Sequence, residues 1–520
     1  MSFCLSLAWN INSVQSNDFA NFYKTVAGRD FGAGWEEKIH QVWSEYDRLA
    51  SLRKHEMIEP DTFSLLHYRE ADNILQRWST TLSLAQSIYD GIDEELKPAA
   101  FQLVLHPVKA SFIYVSLRIA QAKNLLFARQ RRNSANAWAQ KALQLFESDF
   151  ELQEAYHALL DGKWNHMLSQ THYGYEETWH APSRDMIGGL CYVQRRQNSN
   201  AIVGQLGVAV EDHEGVRPGR INEESERTHP SRRDLVPGVT FRLLTRYDLN
   251  SRWFDLFTRG VLTIHWTVES AYPWVKLDHT EGTLHPDDDD VRVQVTLDWD
   301  SVPSDFDGEV LIDIRSQEGD FEQLHLPVSG RRVPGSFKGG HVESSGYVSI
   351  PAVSPSGGLP VPYLPVPSAG KTSKGSVTTQ GSVSDVPWLP FKVHTFSEGK
   401  KAVLWLIFAM TLDVDPEHPM SCEVRVDGGE AQTFQLLRSQ QSQGGSNDAA
   451  SAAQVEGWFD AAQDGVWKRS LELDTEFLTP GEHVIHVRFH HTNIMLETLV
   501  LDLGGLQQSY LEPPSSVWVS

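Results

Sequence analysis

Asp161-Gly162-Lys163-Trp164-Asn165-His166-Met167-Leu168-Ser169-Gln170-Thr171-His172-Tyr173-Gly174-Tyr175 is the stretch on which the reading of this chain turns, with Trp179 and Pro182 close behind it. It is far denser in Trp, Tyr, His, Asn and Lys than a hinge requires. Aromatic rings cover the apolar faces of a pyranose, and amide or imidazole groups take its hydroxyls, so the composition suits a sugar site. The competing reading is structural: a helix losing its last turn, with Gly162 as the kink and Trp164 and Met167 as a core pair.

Upstream of this stretch the apolar residues recur at helical spacing. Trp35, Ile39, Val42, Tyr46 and Leu49 draw one stripe, and Ala71, Ile74, Trp78, Leu82, Ala85 and Tyr89 a second. A third helix over roughly 99–129 contains Pro107, which kinks it or marks its true start. A fourth runs from Asn133-Ser134, plausible caps, toward Leu160. With a short leading helix near 18–27, these predict an α-helical bundle.

Downstream the period changes to two. Val239, Phe241 and Leu243, then Leu262, Ile264, Trp266 and Val268, alternate as half-buried strands do. A strand over 201–207 is expected before a mixed-charge loop at 213–234. Short strands continue to Ile314, the pattern of an immunoglobulin-like sandwich. The Pro-, Gly-, Ser- and Thr-rich stretch 354–386 reads as a linker or surface insertion. Strands near 402–409, 422–426, 467–473, 483–489 and 495–501 then make a second sandwich of carbohydrate-binding type, with a polar low-complexity loop at 440–453. The fold class expected is therefore α+β multidomain: an N-terminal α-helical bundle followed by two β-sandwich regions.

The chain's 520 residues exceed one core, and 40% hydrophobic with 22% charged residues is an ordinary globular composition. A net charge of −23 repels nucleic-acid phosphates and anionic membranes, so neither is expected as a partner. Cys4, Cys191 and Cys422 are widely spaced and odd in number, giving no disulfide framework or zinc knuckle. Met1 to Trp9 has no basic flank and is not read as a signal peptide. Ala402 to Met410, the most apolar run, is too short to span a membrane.

Glycoside hydrolysis usually needs two carboxyl groups. Glu176-Glu177 is the one acidic pair beside the opening stretch, but adjacent side chains diverge. Asp287 to Asp290 reads as a solvated turn rather than a calcium loop. His483 and His486 point to opposite faces of a strand, and His166 and His172 miss the spacing of a helical zinc motif. No metal and no cofactor are expected. Walker loops, dinucleotide fingerprints, nucleophile elbows and internal repeats are not found.

Gly162, Lys163, Trp164, Asn165, His166, Met167, Thr171, His172, Gly174, Tyr175, Trp179 and Pro182 resemble the Gly-Gly-Lys-Trp-Asn-His-Met-Met...Thr-His-Ile-Gly-Tyr...Trp...Pro signature of glycoside hydrolase family 115, the xylan α-1,2-glucuronidases. Asp161 and Leu168 depart from it. Leu7-Ala8-Trp9-Asn10, Pro107-Val108-Lys109-Ala110, Ala122-Lys123-Asn124, the segment from Val342 to Ile350, and that from Ser509 to Ser516 agree in the same order. The resemblance implies a C-terminal portion, because in the family a leading domain and a catalytic barrel precede the Leu-Ala-Trp-Asn segment.

The implied division is 1–12 as the end of the barrel, 13–170 as the bundle, 171–200 as a connector, 201–335 and 336–510 as the sandwiches, and 511–520 as a tail. The family's catalytic carboxylates, which lie on the barrel, match no residue here. The resemblance further implies that Lys163, Trp164, Asn165, His166, His172 and Tyr175 line the rim of a groove. There Lys163 pairs with a glucuronate carboxylate, Asn165 and His166 take hydroxyls, and Trp164 or Tyr175 stacks. The partner implied is xylan or a glucuronoxylan-type polysaccharide, hydrolysed with inversion and without metal, and this chain alone is expected to be inactive. Family members are typically secreted and dimerise through the β region. The alternative is a non-catalytic carbohydrate-binding or dimerisation module using exposed aromatics such as Trp388 or Trp458.

Overall fold

The computed structural model describes residues 2–12, 19–174, 184–196, 205–215, 240–249, 251–367, 369–371, 375–381, 386–398, 402–412, 419–437, 455–473 and 479–520. The loops expected at 213–234 and 440–453 lie almost wholly outside them, as do Tyr175, Glu176, Glu177, Trp179 and Pro182. The chain divides into two compact units. One comprises 1–65, 69–125 and 136–192, and the other 66–68, 126–135 and 193–520.

The first unit is helical, with helices Ser2–Trp9, Phe19–Phe31, Glu36–Ala50, Glu70–Gly91, His106–Arg129 and Ala135–Gly162. The stripes read from the sequence are its core: Ile39, Val42, Ala71, Ile74 and Ala85 are all at most 1% exposed. Pro107 acts where its missing N–H predicts. A π-helical turn, Phe101–Leu105, precedes helix His106–Arg129. The carbonyl of Leu103, four residues before the proline, instead accepts the Trp43 indole N–H at 2.9 Å. The continuous helical stretch Glu94–Arg129 is long and apolar enough to cross a membrane by length and composition, which the sequence reading missed. Burial covers 61% of its apolar window, as in a core helix.

The second unit holds two β-sandwiches. In the first, a sheet ordered Leu206–Val210, Arg252–Thr258, Val291–Leu297, Val275–Leu277 faces one ordered Leu244–Thr245, Phe321–Ser329, Asp307–Ser316, Ile264–Ser270, Glu281–Leu284. Ile264, Trp266 and Val268 point inward while His265 and Thr267 face out, the alternation that the sequence shows. Phe254, Val293, Ile312 and Leu326 meet between the sheets, fully buried.

In the second sandwich, one sheet runs Gln432–Gln435, Ser421–Val426, Gly481–Phe489, Leu389–Thr395, Gly340–Val342, Trp518–Val519. The other runs Tyr363–Val366, Ser376–Thr379, Leu496–Asp502, Ala402–Ala409, Val466–Leu473. Strand Tyr347–Pro351 pairs with Leu496–Asp502.

Several local expectations are corrected. The stretch 354–386 is not only a linker: Tyr363–Val366 and Ser376–Thr379 pair within it, and Tyr363 and Val377 enter the core. The tail 511–520 returns as a strand, Trp518–Val519 on Gly340–His341. Asn133 and Ser134 do not cap a helix with their side chains. The Asn133 amide donates to Thr258 Oγ1 and to the Gly260 and Pro286 carbonyls, and Ser134 Oγ donates to Asp290. Of the four aspartates at 287–290, only Asp287, Asp288 and Asp289 are exposed; Asp290 turns inward onto Arg132 at 2.8 Å. Trp458 packs on the second core, its ring 6.0 Å from that of Trp467, instead of standing free.

Candidate substrate-binding site

Helical dihedrals stop at Leu159 (φ −61°, ψ 134°), after which Leu160 and Asp161 are left-handed. Three turns then succeed one another, with Lys163 N donating to Leu160 O at 3.2 Å, Asn165 N to Gly162 O at 3.0 Å and Met167 N to Trp164 O at 3.0 Å. Left-handed backbone recurs at Gly162 (φ 82°), His166 (φ 67°) and Leu168 (φ 58°). For residues with a Cβ this conformation costs about 1 kcal/mol or more each, and such outliers concentrate at binding sites.

The run persists because its carbonyls are held: Gln153 Nε2 donates to Leu168 O at 3.0 Å, and His157 Nε2 to Met167 O at 2.9 Å. The outcome is display. Lys163, Asn165 and His166 are exposed, and Trp164 is half-buried with the Lys163 ammonium 5.1 Å from its ring centre. Met167 is 51% exposed, so the core pair of the structural reading does not form. The Trp164 indole N–H is buried and has no acceptor among the described residues.

Below the turns the segment is clamped. One oxygen of Asp185 accepts the backbone N–H groups of His172 at 2.5 Å and Tyr173 at 2.8 Å. Tyr173, 1% exposed, stacks on Tyr114 at 5.2 Å, with the Arg118 guanidinium 5.2 Å from one ring and 5.8 Å from the other. His172 Nδ1 donates to Asp149 Oδ2 at 2.6 Å. This bond first, opposed by burial, raises the imidazole's pKa, and the Leu168 carbonyl also favours the charged ring. His172 therefore braces the segment against helix Ala135–Gly162 and is not displayed with Lys163, Asn165 and His166. Nearby, burial and the positive charges of His172 and Lys109 lower His106 to about 4 against the pull of Asp149. Among the described residues, no three His, Cys, Asp or Glu side chains converge as a metal site.

Two family profiles match the chain on either side of this constellation. The profile described as Glycosyl hydrolase family 115 C-terminal domain matches residues 340–515, and that described as Glycosyl hydrolase family 115 matches residues 1–57. Both ends of the chain thus match glycosyl hydrolase family 115. Among solved structures, the chain is similar to a family GH115 4-O-methyl-α-glucuronidase with specificity for decorated arabinogalactans. The identity is 12% and the TM-score 0.49, over 96% of this chain and 43% of that one. The chain thus spans less than half the length of that structure. A GH26-CBM35 β-(1,4)-mannanase from Podospora anserina matches at 12% identity and TM-score 0.19, over 31% of this chain and 29% of its own. A carbohydrate-binding module of the β-sandwich superfamily matches at 11% identity and TM-score 0.20, over 50% and 93%. No curated protein matches in sequence.

Lys163, Trp164, Asn165 and His166 thus lie on one run, braced by His172. Tyr175 falls outside the described residues. Sequence reasoning missed Asp149, Asp185, Arg118 and His106, which share no spacing motif. A signal was nevertheless present in the family-like segments upstream. The Asn124 side chain is fully buried and exchanges two 2.8 Å bonds with the Cys191 backbone, and Gln121 Nε2 donates to Gly188 O at 3.1 Å.

The two histidines predict opposite pH responses. His106, lowered when folded, contributes stability above its unfolded pKa near 6.5, and that contribution is lost as pH falls toward 4. His172, raised when folded, contributes below pH 6.5 and loses this as pH rises through its folded value. Discounted for partial exposure, the His106 contribution is about 2 kcal/mol. Amide exchange of helix His106–Arg129 in wild type and His106→Asn, from pH 7 to pH 4.5, should show the acid-side loss in wild type alone. Parallel curves would refute it.

Proposed function

We propose that the displayed run Lys163-Trp164-Asn165-His166 contacts the uronate-bearing sugar in an α-glucuronidase that removes (4-O-methyl)glucuronic acid from glucuronoxylan. Lys163 supplies the cation for the carboxylate, Asn165 and His166 supply groups for hydroxyls, and Trp164 supplies an apolar ring face. The observation that carries this reading is the exposure of Lys163, Asn165 and His166, with Trp164 half-buried beside them, on a run in which left-handed backbone recurs, where a structural helix end would bury or relax them. The two family 115 profile matches supply the reaction class.

The same reading holds that these 520 residues do not hydrolyse glucuronoxylan by themselves. Hydrolysis needs two carboxyl groups facing each other across the bond. Beside the run, Asp149 is committed to His172 and Asp185 to two backbone N–H groups. Purified chain incubated with 4-O-methylglucuronoxylan is expected to release no glucuronic acid, and its release would overturn this part. For the binding part, titration with a glucuronic-acid-substituted xylooligosaccharide should show Lys163→Ala and Trp164→Ala each weakening affinity about tenfold or more. Wild-type affinity in both variants would reject the site.

A further inference from the structure

The outer face of the second sandwich carries a cluster that the site above does not use. On strand Ser421–Val426, Cys422 and Val424 point into the core, so Glu423 and Arg425 point out. On the neighbouring strand Gly481–Phe489, Ile485 and Val487 point in and His486 and Arg488 out. Arg425 lies opposite His486, and Glu423 opposite Arg488. Trp388, immediately before strand Leu389–Thr395, completes the group. The Arg425 and Arg488 guanidiniums lie 4.5 and 4.4 Å from its ring centre, and the His486 ring 6.3 Å away, edge-on.

The charges in this cluster do not balance. Arg488 is spent on Glu423, donating from Nε at 2.9 Å and from Nη2, and His490 also lies on that carboxylate at 3.3 Å. A further carboxylate, Asp427, is spent on His483 Nδ1 at 2.9 Å and Val484 N at 2.8 Å. Arg425 forms no ion pair among the described residues, and Arg425 Nε and His486 Nδ1 are buried without hydrogen-bond partners. In a chain of net charge −23, a guanidinium held in place by an indole and lacking a carboxylate is a site for an anion supplied from outside.

We infer that Arg425, fixed against Trp388 beside Arg488 and His486, binds the carboxylate of a uronic acid residue on a polysaccharide, as a surface separate from the Lys163 run. That the carboxylate belongs to a sugar rests on the proposed function; that the site takes a carboxylate rests on the cluster alone. The experiment is affinity electrophoresis of the whole chain in glucuronoxylan, unsubstituted xylan and polygalacturonate, with Arg425→Gln, Arg425→Lys and Lys163→Ala variants, and with polyglutamate as competitor.

Arg425→Gln is expected to reduce retardation by both acidic polysaccharides about tenfold while leaving that by unsubstituted xylan unchanged. Arg425→Lys, which keeps the charge and loses the planar fork, falls between. Retention of wild-type binding by Arg425→Gln overturns the inference, and so does a fall in melting temperature with uronate affinity unchanged, which makes the cluster a structural ladder. Displacement by polyglutamate as readily as by polygalacturonate overturns the saccharide assignment. Wild-type binding of the acidic polysaccharides by Lys163→Ala, together with loss of binding in Arg425→Gln, rejects only the earlier reading.

Discussion

Arg132→Ala is expected to destabilise the second unit by about 3–5 kcal/mol, the cost typical of removing one partner from a buried charge network. Arg132 is 2% exposed, and its Nη1 lies 3.0 Å from Asp255 and 2.8 Å from Asp290. Its Nε donates to Gln130 at 2.5 Å, and the rings of Phe127 and Phe257 lie 4.1 and 4.3 Å from the guanidinium carbon. Burial pushes Asp255 up, but Arg132 and Arg292 outweigh it and hold the carboxyl below its usual range. Asp290 is the less compensated partner. Burial raises it against Arg132, and Asp255 adds repulsion.

Alanine would leave Asp255 to Arg292 alone and Asp290 to the hydroxyl of Ser134. Equilibrium urea unfolding at neutral pH measures the cost. It should shrink below about pH 4, where the stranded carboxylates take up protons. Arg132→Met, which keeps the stem between the rings, should recover part of the packing but not the charge compensation. A neutral-pH cost below about 1 kcal/mol would place the network among those that a surface pair resembles.

Tyr363→Ala is expected to cost the second sandwich about 3–4 kcal/mol, the range for removing a buried aromatic ring. Tyr363 is 3% exposed, meets Phe489 edge-on at 5.3 Å, and donates its hydroxyl to Pro387 O at 2.9 Å. Tyr363→Phe removes only that hydrogen bond and should cost about 1 kcal/mol. Thermal or urea unfolding of the two variants separates a strand from a linker, because a residue in a surface linker changes stability by about 0.5 kcal/mol or less.

The 363–366 strand shows why the Pro-, Gly- and Ser-rich stretch misled. Each of its two strands has four residues and commits few large side chains to the core, too short a run for a period of two to register. Where the run was longer, as in Ile264–Ser270 or Glu36–Ala50, the period was plain and the burial followed it. The Lys163 run was legible by composition and resemblance. Its supports were not, since Asp149 and Asp185 are ordinary aspartates until the chain brings them to His172 and Tyr173.

By itself the sequence determined the longer helical and extended stretches and which side of each is buried, because apolar spacing is a local property that repeats every 3.6 or two residues. It also carried the resemblance to family 115, through residues adjacent in the chain. Only the tertiary structure decided that Arg132 joins Asp255 to Asp290, that His172 is a brace, and that Arg425 has no carboxylate partner among the described residues. Each of those depends on which charges meet across long sequence separations in a poorly solvated place, and no spacing along the chain encodes that.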